Sequence, residues 1–174
     1  MNKKNDPFTE LVKAIIYQQL SGKAASTIYN RFLGLYSEKR KHPSTKELIN
    51  TDHEKLRNVG LSNQKVEYIK TIAEFFEVHP YSKKDFNKLT DNEIRDQIIG
   101  IRGVGPWTVD MFLMFTLNRL DVFPVLDLGV QKGFSKMNKL KKLPSEKKMI
   151  KAAEQWKPYR SIASYYFWKI AGEE

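Results

Sequence analysis

Cysteine is absent from this chain of 174 residues, which removes both a disulfide-stapled scaffold and an iron–sulfur cluster held by thiolates. Histidine is scarce. The three present, His42, His53 and His79, are too scattered for metal-ligand spacing and are expected at the surface, so neither a metal nor a cofactor is expected. No apolar run approaches the roughly 18 residues of a membrane span, and no signal-like segment precedes Asp6. The expectation is a soluble intracellular protein. Low-complexity tracts and sustained strand alternation are also missing.

What is present in excess is positive charge. Thirty Lys and Arg against twenty Asp and Glu leave a formal +10. Several positives fall in short runs: Lys3-Lys4, Lys39-Arg40-Lys41, Lys83-Lys84, Lys139, Lys141-Lys142 and Lys147-Lys148. Any one run reads equally as a solvated helix face, but the total bias favours a polyanion and salt-sensitive binding.

Apolar residues recur at helical spacing along the chain: Leu11, Ile15 and Ile16; Ala24, Ala25, Ile28 and Phe32; Val66, Ile69, Ile72, Ala73 and Phe76; Met111, Phe112, Met114 and Phe115. The pattern predicts an all-α protein of about ten helices, broken near Pro43, Gly60, Pro80, Gly103, Pro124 and Pro144. The length suits one full core or two small lobes.

One segment stands apart. Asp91 to Gly100 reads as a short helix capped by Thr90 or Asp91. Gly103 and Gly105 then flank an inward Val104, and Pro106 suits the first turn of a helix running from Trp107 to Leu117. Backbone N–H groups at such a turn can hold an anion without a side-chain charge, and a phosphodiester is the natural guest on so basic a chain. A P-loop would need Lys-Ser or Lys-Thr after its last glycine, and a dinucleotide fold would need a strand before the first. The plain alternative is a tight αα-corner with no ligand. Beyond it lies an isolated carboxylate, Asp127, which reads either as the N-cap of a helix beginning at Leu128 or as a reacting group.

Ile101 to Asp110 resembles the helix-hairpin-helix element of the DNA glycosylase superfamily in which the hairpin is paired with a Gly/Pro-rich loop and a catalytic aspartate. Asp121-Val122-Phe123-Pro124-Val125-Leu126-Asp127 resembles that loop. Two more blocks are similar to the branch typified by 3-methyladenine DNA glycosylase II: Asp6-Pro7-Phe8 with Ile15-Ile16-Tyr17-Gln18-Gln19-Leu20-Ser21, and Trp156-Lys157-Pro158-Tyr159-Arg160-Ser161-Ile162-Ala163. Together they cover nearly the whole chain in the expected order.

The resemblance implies a two-lobed all-α fold with an interlobe active-site cleft. Residues 1–20 and 121–174 would form the smaller lobe, and 21–120 a six-helix barrel ending in the hairpin, about 91–118. The implied reaction is hydrolysis of the N-glycosidic bond of an alkylated purine, of 3-methyladenine or 7-methylguanine type, flipped out of duplex DNA by a monomer. Asp127 would be catalytic, with Asp121 and Asp110 as rivals better explained by local capping or backbone contacts. Trp107, Trp156, Tyr17 and Tyr159 would bind the base, whereas Trp168, Phe167, Phe112 and Phe115 look like core. Gln18, Gln19, Arg102, Gly103, Gly105 and Arg160 would meet DNA, with Gln19 at the plugging position. Gln18 and Gln19 could instead cross-link the first two helices, and Arg160 could meet an internal carboxylate.

In relatives that also cut the backbone, the position of Trp107 is a lysine, so base excision without incision is implied; Lys132 and Lys136 do not occupy that position. Some relatives carry an iron–sulfur cluster, and here the chain departs from them. Larger relatives carry a domain before the Asp-Pro-Phe block, so broad and modest lesion recognition is expected. Two other readings stay open: a same-fold glycosylase for a neutral mismatched, deaminated or oxidised base, and a non-catalytic helix-hairpin-helix module. Localisation would follow DNA, in the cytoplasm or nucleoid of a prokaryote or the nucleus of a eukaryote.

Overall fold

Short polar residues with free hydroxyls or carboxylates begin most helices. The computed structural model describes residues 6–36 and 42–172, so the runs Lys3-Lys4 and Lys39-Arg40-Lys41 lie outside the described residues. Asp6 accepts the Thr9 N–H and starts α1 (Pro7–Tyr17), and Ser21 starts α2 (Gly22–Gly34). Next come α3 (Thr45–Asn50), α4 (His53–Asn58), α5 (Asn63–Val78), α6 (Lys83–Phe86) and α7 (Asp91–Ile98). Ser44, Ser82 and Thr90 form reciprocal capping boxes with Glu47, Asp85 and Glu93. These are followed by α8 (Pro106–Met111), α9 (Leu128–Met137), α10 (Glu146–Ala153) and α11 (Arg160–Ala171). No strand occurs among the described residues, which hold eleven α-helices, and the fold is all-α as expected.

The helix expected from Trp107 to Leu117 changes character midway. After α8 the chain widens into a π-helical segment, Phe112–Thr116, and closes with the Arg119 N–H on the Leu113 carbonyl at 2.9 Å. Asn118 takes a left-handed φ of 59° there, a conformation asparagine tolerates better than most residues.

Contacts divide the chain into two units, Met1–Phe112 and Leu113–Glu174. In the first, α1 buries Leu11, Val12, Ile15 and Ile16 completely and packs on α5, α2 and α8. The division therefore groups α1 with residues up to 112, a different partition from the lobes of 1–20 with 121–174 and 21–120. Of the expected core, Ala24 and Phe115 are exposed and Ile28 and Met111 half-buried.

His42 is not at the surface. Its ring lies 5.1 Å from Phe8 and 5.7 Å from Phe32, its Nδ1 meets the Pro43 carbonyl, and its Nε2 is buried without a partner. Burial pushes its pKa down to about 4. The neutral ring thus contributes stability that is present above pH 6.5 and is lost as pH falls toward 4, about 3 kcal/mol in all. Urea unfolding at pH 7.5 and pH 4.5 checks this. His42→Phe should flatten the difference, and an unchanged pH dependence would remove His42 as its source.

In the second unit α9 and α11 pack at backbone contact. A Cβ on Gly133 would sit 1.9 Å from the Phe167 carbonyl oxygen, so only glycine permits this approach. Val130, Phe134, Met149 and Phe167 form the core beneath, with Trp156 and Phe123 packed against it.

Candidate active site

The two hairpin glycines do different work. Gly103 has φ 93°, and a Cβ there would fall 2.3 Å from the Tyr68 ring, so it makes the turn and the packing on α5 possible. Gly105 has ordinary extended backbone, φ −95° and ψ 175°, and a Cβ there would meet nothing within 4 Å. It alone leaves open space over the start of α8. Val104 is buried as expected, and its N–H is engaged by the Ile101 carbonyl. Gly105→Val should therefore fold normally and weaken binding to all duplexes alike, by about tenfold, without changing base preference. Unchanged affinity for undamaged and abasic DNA with an altered base spectrum would show that the hairpin is no phosphate clamp.

Around this turn, Trp107 is half-buried in the first turn of α8, and the exposed Arg102 pairs with Glu67 at 2.9 Å. Gln18 reaches the hairpin rather than α2, donating through Nε2 to Thr108 Oγ1 at 3.0 Å. Gln19 is exposed, with a left-handed φ of 58°. Tyr17 packs against Tyr29, with Lys13 over both rings at 5.7 and 5.8 Å.

In the second unit Asp127 is both cap and candidate catalytic carboxylate. Its Oδ1 accepts the Val130 N–H at 2.9 Å, starting α9, and the Trp168 indole N–H at 2.7 Å. Asp127 is 9% exposed, with Leu126 and Leu128 exposed on either side in the chain. Trp168 stacks on Phe115 at 5.8 Å and meets Tyr165 edge-on at 5.5 Å. Phe115 and Tyr165 are each about half exposed, so an open aromatic surface adjoins the carboxylate's own hydrogen-bond donor. Of the aromatics expected in the core, Phe167 and Phe112 are buried, Trp168 is half-buried against the core of the unit, and Phe115 is exposed. Only the pairing across 41 residues reveals Trp168, and no local periodicity encodes it.

Trp156 and Tyr159 line a different cavity, about 390 Å³, with Ile162, Tyr166 and Ile170; Asp127 is not among its lining. Ile162, Tyr166 and Ile170 form one stripe of α11, and Trp168 lies roughly half a turn round the helix from Tyr166. Trp156 also packs 5.2 Å from Phe167 and 5.5 Å from Phe123, which gives it a core role.

Arg160, expected at DNA or on an internal carboxylate, has its guanidinium on Asp121, Nε to Oδ1 at 2.6 Å and a second nitrogen to Oδ2 at 2.9 Å. The bonds from Arg160 hold the Asp121 carboxyl below the usual carboxylate range. Asp110 is paired with Arg95 at 2.5 Å. Both rivals of Asp127 are thus engaged in ion pairs, and Asp121 also accepts the Arg160 backbone N–H at 3.4 Å. Lys136 caps the end of α11, donating to the Ala171 carbonyl at 2.8 Å. Among the described residues no cluster of His, Asp and Glu is placed to hold a metal ion, and no helix is long and apolar enough to cross a membrane.

A capped carboxylate after a glycine hairpin, on an all-helical two-unit chain, narrows the family sharply. Residues 12–158 match the model of the HhH-GPD superfamily of base excision DNA repair proteins, and the chain belongs to that superfamily. Within it, the chain falls in the branch similar to 3-methyladenine DNA glycosylase II. It is 36% identical over 170 residues to DNA-3-methyladenine glycosylase 1 of Schizosaccharomyces pombe, covering 97% of this chain and 74% of that protein. The DNA-3-methyladenine glycosylase of Saccharomyces cerevisiae is 31% identical, with 98% and 68% covered. Among solved structures, the S. pombe 3-methyladenine DNA glycosylase in complex with abasic DNA aligns with a TM-score of 0.88 over 96% of this chain and 81% of that one, at 36% identity. A DNA-3-methyladenine glycosidase from Bacillus halodurans aligns at 0.84 over 96% and 76%, at 35% identity.

Proposed function

We propose that this protein is a monofunctional DNA glycosylase that hydrolyses the N-glycosidic bond of alkylated purines in duplex DNA and leaves an abasic site. The observation that carries the reading is Asp127: a nearly buried carboxylate, fixed in direction by the α9 N-terminus and the Trp168 indole, beside an open aromatic surface. The family membership and the relatives' names support it.

The chemistry follows from charge. As the C1′–N bond breaks, its electron pair leaves with the base and positive charge grows on the deoxyribose. A carboxylate facing that sugar stabilises the charge and orients the water whose oxygen then bonds to C1′. A base already alkylated is cationic, leaves with little acid catalysis, and stacks on electron-rich rings. Trp168, Phe115 and Tyr165 supply such rings beside Asp127's donor, a better-supported choice for the base than Trp156 or Tyr159. The hairpin at Gly105 would hold a phosphate, and Gln19, exposed beyond α1, would fill the space left by the flipped nucleotide.

Tryptophan at position 107 supplies no amine for a Schiff base, and Lys136 is engaged at the end of α11. The protein would act as a monomer wherever its DNA is, nucleoid or nucleus. Incubated without added metal, it should release 3-methyladenine and 7-methylguanine and leave the phosphodiester intact until heat or alkali is applied. A parallel series on 8-oxoguanine, uracil and hypoxanthine distinguishes a neutral-base enzyme. Covalent trapping by borohydride would overturn the monofunctional reading, and no release of any base would leave only a binding module.

A further inference from the structure

The first turns of α5 touch both the hairpin and the Gln18-Gln19 turn. Lys65 Nζ donates to the carbonyls of Ile16 at 2.8 Å and Gln18 at 2.7 Å, capping the C-terminal end of α1. Burial pulls this ammonium below the usual lysine range. One turn further along α5, the Tyr68 ring lies directly under Gly103, and between them Glu67 pairs with Arg102. From the opposite direction Gln18 Nε2 reaches across 90 residues to Thr108 Oγ1 at 3.0 Å, and Gly103's carbonyl lies 3.5 Å from the same nitrogen. Thr108 is 2% exposed, so this bond is sheltered from water. An exposed glutamine in left-handed backbone at a loop tip is ordinarily mobile. Here the residue before it is fastened through both its carbonyl and its side chain.

We propose that Lys65, Gln18 and Thr108 form a tether that fixes the Gln19 turn to the hairpin, so that the spacing between a clamped phosphate and the invading side chain is set before DNA arrives. Lys65 and Thr108 are then positioning residues, and Lys65, although basic, is not a phosphate contact. The proposal rests on the glycosylase reading above for its consequence, but the tether itself exists in the free protein.

Three variants of the full chain separate the possibilities. Thr108→Val removes the acceptor, Thr108→Ser keeps it, and Lys65→Met keeps the apolar stem without the ammonium. In free protein, amide hydrogen exchange over residues 18–21 should accelerate in the valine and methionine variants and return to wild-type protection in the serine variant. On duplexes with 2-aminopurine beside the lesion, the valine and methionine variants should flip less. Their single-turnover excision at saturating enzyme should fall about tenfold, the scale of a misplaced reacting geometry. The half-saturating concentration and the salt slope of binding should stay as in wild type. A salt slope reduced by about one in Lys65→Met would make it a phosphate contact and overturn the proposal. Unchanged exchange in both variants would do the same. If wild type excises no base, the glycosylase reading fails and the exchange measurement still decides the tether.

Discussion

Asp127→Asn should lower single-turnover excision by about 10² or more, a loss of roughly 2.7 kcal/mol of transition-state stabilisation. The substitution is unusually clean at this position. Asparagine caps helices as well as aspartate does, and its amide oxygen can accept from both Val130 N–H and the Trp168 indole, as Oδ1 does now. What disappears is the negative charge that, on the proposed mechanism, faces the developing sugar cation. DNA binding should survive or tighten, and circular dichroism should be unchanged. The fall should be smallest for 7-methylguanine, which leaves with least help, and largest for hypoxanthine if that base is processed. Near-wild-type rates on every processed base would sink the assignment, and with Asp121 and Asp110 held in ion pairs no rival carboxylate in the motif would be ready to replace it.

Gly133→Ala should cost the second unit on the order of 3 kcal/mol, the upper range for forcing an extra methyl into a packed interior. The obstacle is backbone, since the new Cβ would lie 1.9 Å from the Phe167 carbonyl oxygen and 2.7 Å from its Cα, so α9 and α11 must part. For a chain of this size the melting temperature should fall by roughly 6–10 °C. Hydrogen exchange should rise over α9 and α11, with the hairpin region little changed. Activity should fall with it, because Trp168 follows Phe167 in α11 and Asp127 caps α9. A melting temperature and exchange pattern equal to wild type would mean that the two helices can separate without cost, contrary to their observed packing.

The features readable in advance were those written in a few consecutive residues. Thr90 as one of two candidate caps, Pro106 at a helix start, the glycine turn and Asp127 before Leu128 each carry a local stereochemical reason, and each sits where that reason puts it. What local sequence does not encode shares another cause. Trp168, Arg160, Gln18 and His42 are defined by partners far away in sequence: a carboxylate 41 residues back, another 39 back, a hydroxyl 90 ahead, and a ring 34 back. Periodicity says that a side chain faces inward or outward, not which group it meets. The π-helical segment escaped for a similar reason, because Phe112 to Thr116 is as apolar as any α-helix and only its wide closure on Leu113 gives it away.

Ser161 adds a consequence for how the molecule comes into being. Its hydroxyl donates to the Arg119 carbonyl at 2.8 Å and accepts the Val122 N–H at 3.0 Å, while its own N–H bonds the Leu120 carbonyl at 2.9 Å. The stretch leading into Asp127 is therefore held in shape by α11, which is synthesised about 40 residues after it. A nascent chain can complete its hairpin well before α11 emerges, yet its carboxylate stays unaligned until then. Chains stalled or clipped before α11 should therefore keep a folded hairpin while the loop before Asp127 loses the bonds that shape it.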